Sequence, residues 1–242
     1  MKTAILYQIS PYAAVLLFGA GMTVRYRLAR QGMDANRPRL LQPSDHIGGG
    51  RPLQLSLFLL VMGHLIGLLF PQWIQVWNSV PYRLYLIEVS AFVIGVSALA
   101  GLALVMWRHF ARSDGPVSRE AADAVFYALL FTVLFSGSLT AILFRWGSAW
   151  GVQTLAPYAV SLVHGQPAVG LIVNLPYLIR LHVFASFASL ALFPATSLAR
   201  APIAVFRRGL KRVLAPVHGL VDFMTKVGAR LNPAIWIWPE ED

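Results

Sequence analysis

Long apolar runs alternate with short polar or basic connections along this chain, and five of the runs are long enough to cross a bilayer. A span needs roughly 20 residues at about 1.5 Å rise each. The runs extend from Ala4 to Val24, Pro52 to Phe70, Leu84 to Trp107, Ala121 to Trp146 and Leu175 to Leu198. They need no polar stripe, because a helix between lipid and other helices is apolar all round. The pattern predicts an all-α integral membrane protein whose first 200 residues form a five-helix transmembrane bundle.

Charge sorts the connections into two sets. Arg25, Arg27, Arg30, Arg37, Arg39 and Arg51 follow the first run, Arg108, Arg112 and Arg119 the third, and Arg200, Arg207, Arg208, Lys211 and Arg212 the fifth. The second and fourth connections carry little positive charge and several tryptophans and tyrosines. The positive-inside rule then puts the N-terminus outside and the C-terminus in the cytoplasm, with the protein multi-pass in a bacterial or archaeal cytoplasmic membrane. The start reads as a retained span, because Lys2 is a minimal charged lead and no small-residue cleavage site precedes a polar region. Residues 201–242 are too charged to span. Phe206, Leu210, Val213 and Leu214 among the basic residues predict an amphipathic cytoplasmic tail, resting on anionic lipid or wrapping a soluble partner.

Composition agrees with this reading. Hydrophobic residues make up 57% and charged residues 12%, against about a quarter charged in a soluble domain. Mean hydropathy is +0.62. The net charge of +10 would point to nucleic acid in a soluble protein, but here it marks one side of the bilayer, and no nucleic-acid partner is expected. With no cysteine, disulfides and thiolate-held centres within the chain are excluded, so a redox centre must rest on histidine or methionine.

Of six histidines, only His64 and His182 lie well inside predicted spans. His64 precedes Pro71 by seven residues, a depth of roughly 10 Å, and His182 follows Pro176 by six, roughly 9 Å. Two imidazoles matched in depth on separate helices are what bis-histidine ligation of one haem requires. Gly63 and Gly67 beside His64, and Ala185, Ser186, Ala188 and Ser189 after His182, leave room for a macrocycle or for tight helix packing. Arg180, Arg145 and Arg83 lie at outer helix ends, where haem propionates or lipid phosphates would pair with them. Glu88, early in the third span, is a candidate relay for protons released on the outer side, whereas Asp123 reads as an interfacial helix-start acid.

The arrangement resembles the gamma (cytochrome b) subunit of respiratory nitrate reductase. The residues that carry the likeness are Arg25-Tyr26-Arg27, Gly63-His64-Leu65-Ile66-Gly67 followed by Pro71 and Trp73, Trp107-Arg108, and Arg180-Leu181-His182 ahead of Phe193-Pro194. The resemblance implies quinol oxidation near the outer surface, two stacked b haems, and iron–sulfur and molybdenum partner subunits. It also implies a basic quinol-site residue at the start of the third helix, where Tyr82 and Arg83 stand. The outer haem's ligands match His64 and His182, but the positions of the inner haem's ligands hold Gln54 and Arg200. Both ligands of one haem are missing together, which predicts a one-haem relative.

A lone outer haem leaves roughly 20 Å of a bilayer core about 30 Å thick. Electrons then need another cofactor to cross, or they leave on the outer side to an outer redox protein. His46, His109 and His218 are inner-side histidines that read as solvated, and His164 belongs to the outer connection. The expected function is a membrane cytochrome b subunit that oxidises quinol through one haem b. Its rivals are a quinone-reducing cytochrome b fed by an outer donor, and a haem-free anchor or transport component in which the two histidines bind each other or a substrate.

Overall fold

A computed structural model describes residues 2–30, 50–111, 117–196 and 199. Expectations about residues 200–242, including the amphipathic tail and Arg200, lie outside the described residues, as do His46, His218 and the side chain of His109. The helices are α1 (Lys2–Arg30), α2 (Gly50–Leu69), α3 (Pro71–Asn78), α4 (Pro81–Ala111), α5 (Val117–Leu143), α6 (Gly147–Val163), α7 (Gly170–Val173) and α8 (Tyr177–Leu192), and a 3-10 turn (Phe193–Ala195) follows. Among the described residues every regular element is helical.

Among the described residues five stretches are long and apolar enough to cross a membrane: Ala4–Leu28, Pro52–Leu69, Pro81–Trp107, Ala121–Leu143 and Tyr177–Ala195. They coincide with the runs read from the sequence to within a few residues at each end. The fourth stops short of the expected Trp146, because Trp146 adopts a left-handed backbone (φ 67°) and opens α6. Pro11 lies inside α1 without ending it, and a missing backbone donor is tolerated where neighbouring helices cover the site.

The connections expected to be interfacial loops are partly helical. α3 and α6 pack on each other, and α6 also packs on α2 and α4. The 17 residues of α6 are mostly apolar and fall just short of a span, so they fold back over the bundle.

Two apolar clusters hold the helices. Near the start of α1, Tyr7, Tyr158, Ile172 and Val183 join α1, α6, α7 and α8. At the other end, Leu53, Ala98, Leu102, Val105, Phe126, Tyr127, Leu130 and Leu134 join α2, α4 and α5. Tyrosine hydroxyls tie the first cluster: Tyr7 donates to the Arg180 carbonyl at 2.8 Å, and Tyr158 donates to the Tyr7 carbonyl at 2.6 Å. At the far end Arg25 donates to the Ala195 carbonyl at 3.1 Å, and the Phe18 and Phe193 rings stack. Asp123, seven residues into α5, is buried at 6% exposure.

α2 and α4 meet closely at Gly101. A Cβ there would stand 3.0 Å from Leu53 Cβ and 3.2 Å from its Cα and N. Backbone cannot swing aside as a side-chain tip does, and overpacking of this kind costs about 1–3 kcal/mol. Gly101→Val is therefore expected to lower the thermal unfolding midpoint of the detergent-solubilised chain by several degrees. An unchanged melting curve would show that the two helices do not meet there.

Candidate functional site

The two histidines that the sequence places at equal depth face each other in the folded chain. His64 lies five residues before Leu69, the end of α2, and His182 five residues after Tyr177, the start of α8. Their ring centres are 6.2 Å apart and their planes are inclined by 31°.

Hydrogen bonds fix which nitrogen of each ring is free. His64 Nδ1 lies 2.7 Å from the Leu60 carbonyl one turn back on α2, and His182 Nδ1 lies 2.9 Å from the Val133 carbonyl of α5. A carbonyl oxygen only accepts, so both Nδ1 atoms carry the proton and both Nε2 atoms keep a lone pair. An imidazole nitrogen bonds a transition metal at about 2 Å, with its ring centre roughly 1.1 Å farther back, so two imidazoles with centres about 6 Å apart could hold one metal ion between them. The observed separation leaves that much room. No cluster of three or more histidine, aspartate or glutamate side chains suited to a metal ion forms among the described residues. Two imidazoles alone are too few donors for a bare ion, whereas a haem would bring the rest of its iron's ligands and need only His64 and His182 from the chain. The residues present therefore fit a haem.

α5 provides the seat for His182. A Cβ on Gly137 would stand 2.9 Å from His182 Cε1 and 3.2 Å from Nδ1, so the imidazole lies directly on backbone. Ser136 Oγ is 3.2 Å from Nδ1. Sequence reasoning missed Val133, Ser136 and Gly137. The small Ser136-Gly137-Ser138 run inside an otherwise bulky span was the available signal for two of them. A backbone carbonyl such as that of Val133 leaves no signature at all.

The other expected site residues divide. Gly63 borders open space, since a Cβ there meets nothing within 4 Å, while Gly67 faces Val152 of α6 at 3.8 Å. Arg180 precedes His182 by two residues, about 200° around the helix, and so projects from nearly the opposite face of α8. Its Nε is buried without a hydrogen bond. Arg145 is exposed in the bend between α5 and α6. Arg83 stacks over Trp77 at 5.2 Å and Tyr82 at 5.7 Å, and its Nε donates to the Tyr82 hydroxyl at 3.2 Å. This aromatic-flanked cation makes no hydrogen bond or ring contact with either histidine. Glu88 Oε1 accepts from the Ser148 N–H at 2.7 Å, which places a carboxylate at the positive end of α6 and ties α4 to it. His164 is exposed where α6 ends, with Nδ1 2.8 Å from the Val160 carbonyl. Gln54 is exposed near the start of α2.

A helical bundle with five membrane-spanning lengths and two imidazoles brought together from two of its helices defines a multi-pass membrane protein. The profile of the family described as "Nitrate reductase gamma subunit" matches residues 3–212, and the chain belongs to that family. It is similar to the nitrate reductase gamma chain of Bacillus subtilis, at 22% identity over 201 residues, which cover 82% of this chain and 90% of that one. It is also similar to the nitrate reductase-like protein NarX of Mycobacterium tuberculosis, at 25% identity over 209 residues. That match covers 83% of this chain and 32% of the longer relative. Family membership makes the chain a membrane subunit of an oxidoreductase complex of the nitrate reductase type.

Proposed function

We propose that this chain is the cytochrome b subunit of its complex, exchanging electrons between quinol and a partner oxidoreductase through one haem b held by His64 and His182. The facing imidazoles carry the proposal, with both Nδ1 atoms engaged by backbone carbonyls and both Nε2 atoms free. A haem b so held supplies one-electron chemistry between a two-electron quinol and a one-electron acceptor. The protein's part is to hold both rings in one tautomer, to keep the site within the bundle, and to offer a quinol surface nearby. The arginine distribution supports an outer N-terminus, and the proposal places the histidines in the outer half of the membrane. Iron–sulfur and molybdenum subunits are the proposed partners, as in the family's namesake complexes. The direct test is the dithionite-reduced spectrum of the purified chain. A low-spin b-type band supports the proposal, and a chain without one removes it.

Tyr82 and Arg83 form the proposed quinol-facing pair. The Arg83 guanidinium is held by two aromatic faces and one hydroxyl, and so presents its remaining donors to a carbonyl or hydroxyl headgroup. Hydrogen bonds to a charged group contribute about 1.5–3 kcal/mol, so Arg83→Ala is expected to slow haem reduction by quinol on the order of tenfold or more. Haem content should stay at the unsubstituted level, because neither side chain reaches the iron ligands. Stopped-flow reduction with a soluble quinol analogue checks this, and unchanged kinetics would move the quinol surface elsewhere. Glu88 is the proposed proton acceptor on the same side, through a carboxylate already anchored to α6.

A further inference from the structure

The two imidazoles are held by different means. His64 bonds within its own helix, to a carbonyl four residues back, so its orientation follows α2 alone. His182 is braced across helices: its Nδ1 reaches α5, and its ring rests on Gly137. Ser136 adds a second contact. Its hydroxyl donates to the Thr132 carbonyl at 2.5 Å, which leaves an oxygen lone pair directed at His182 Nδ1, 3.2 Å away. The Nδ1–H proton is thus shared between the Val133 carbonyl at 2.9 Å and the Ser136 oxygen. Ser136 is 1% exposed, so water cannot replace that oxygen.

We propose that Ser136 and Gly137 of α5 are positioning residues for His182, together setting the direction of its Nε2 and the electron donation of its ring. The inference rests on the haem reading above and goes further, since α5 contributes no ligand and still controls one. An acceptor on Nδ1–H gives the ring imidazolate character, makes Nε2 a stronger donor and favours ferric iron. Two acceptors do so more than one. Gly137 acts sterically: any Cβ there meets ring atoms at 2.9 Å, so the ring must tilt or the helices must part.

The experiment uses the full-length chain in membranes, with Ser136→Ala, Gly137→Ala and, as a control on the same helix, Ser138→Ala. Ser138 carries a buried hydroxyl without a hydrogen-bond partner, and that hydroxyl lies against Gly95 of α4. Ser136→Ala should keep haem content and low-spin character while its midpoint potential rises, because the ferric state loses part of its stabilisation. Gly137→Ala should show a several-fold lower haem-to-chain ratio, or shifted low-spin g-values in the residual haem. Ser138→Ala should match the unsubstituted chain in potential and g-values. A merely structural role for α5 would alter yield and melting but not potential. If the unsubstituted chain binds haem and the Ser136 and Gly137 variants share its potential and g-values, the positioning role is overturned and the haem reading stands. If the unsubstituted chain binds none, both are overturned.

Discussion

Alanine in place of His182, or of His64, is expected to abolish low-spin b-type absorbance while the chain still accumulates in the membrane. Axial ligation is a two-point attachment, and each variant removes one point. For His182→Ala the loss is compounded, because the Val133 carbonyl is left facing a cavity that an imidazole had filled. Membrane insertion depends on the mean hydropathy of the spans, which is 1.9 for the helix bearing His64 and 1.6 for the one bearing His182. Exchanging a histidine for alanine raises both values. The measurement is a reduced-minus-oxidised spectrum of membranes, set against chain abundance on a blot. A normal low-spin band at normal abundance in either variant would remove that histidine from the iron.

The depth match between His64 and His182 was legible because a helix converts residue count into distance, and both counts run from prolines that mark helix ends. The same rule places Arg180 away from His182 around α8, which proximity in sequence conceals. α3 and α6 were harder to see. Their residues are apolar and aromatic enough for an interface, yet too few for a span, and only packing on α2 and α4 shows that they fold back. Glu88 was marked as unusual for its charge at that depth, but its partner is the backbone of Ser148, and a backbone donor has no letter in the sequence. The seat of His182 was hidden for the same reason. Its strongest contact is a main-chain carbonyl, and its closest is the absence of a side chain at Gly137.

One haem per chain is the remaining expectation with a large effect, since the measured ratio must fall near one or near two. The family resemblance implies a second pair of ligands toward the cytoplasmic side, and this chain carries Gln54 and Arg200 at those positions. A glutamine amide is a poor iron ligand, and a guanidinium has no lone pair to give at any pH the protein survives. Gln54 itself is exposed. Leu53 beside it packs against the Gly101 backbone, and the apolar cluster of α2, α4 and α5 occupies the bundle at that level. Leu102 and Tyr127 of that cluster are among the largest fully buried side chains. Haem extraction against protein mass should therefore give a ratio near one, and a redox titration of the chain alone should show a single midpoint. A ratio near two, or two resolved midpoints, would show that another inner-side pair such as His46, His109 or His218 takes over. A ratio near one sends the search for the electron acceptor to the outer surface, or to a cofactor that a partner subunit places within tunnelling range of His64 and His182.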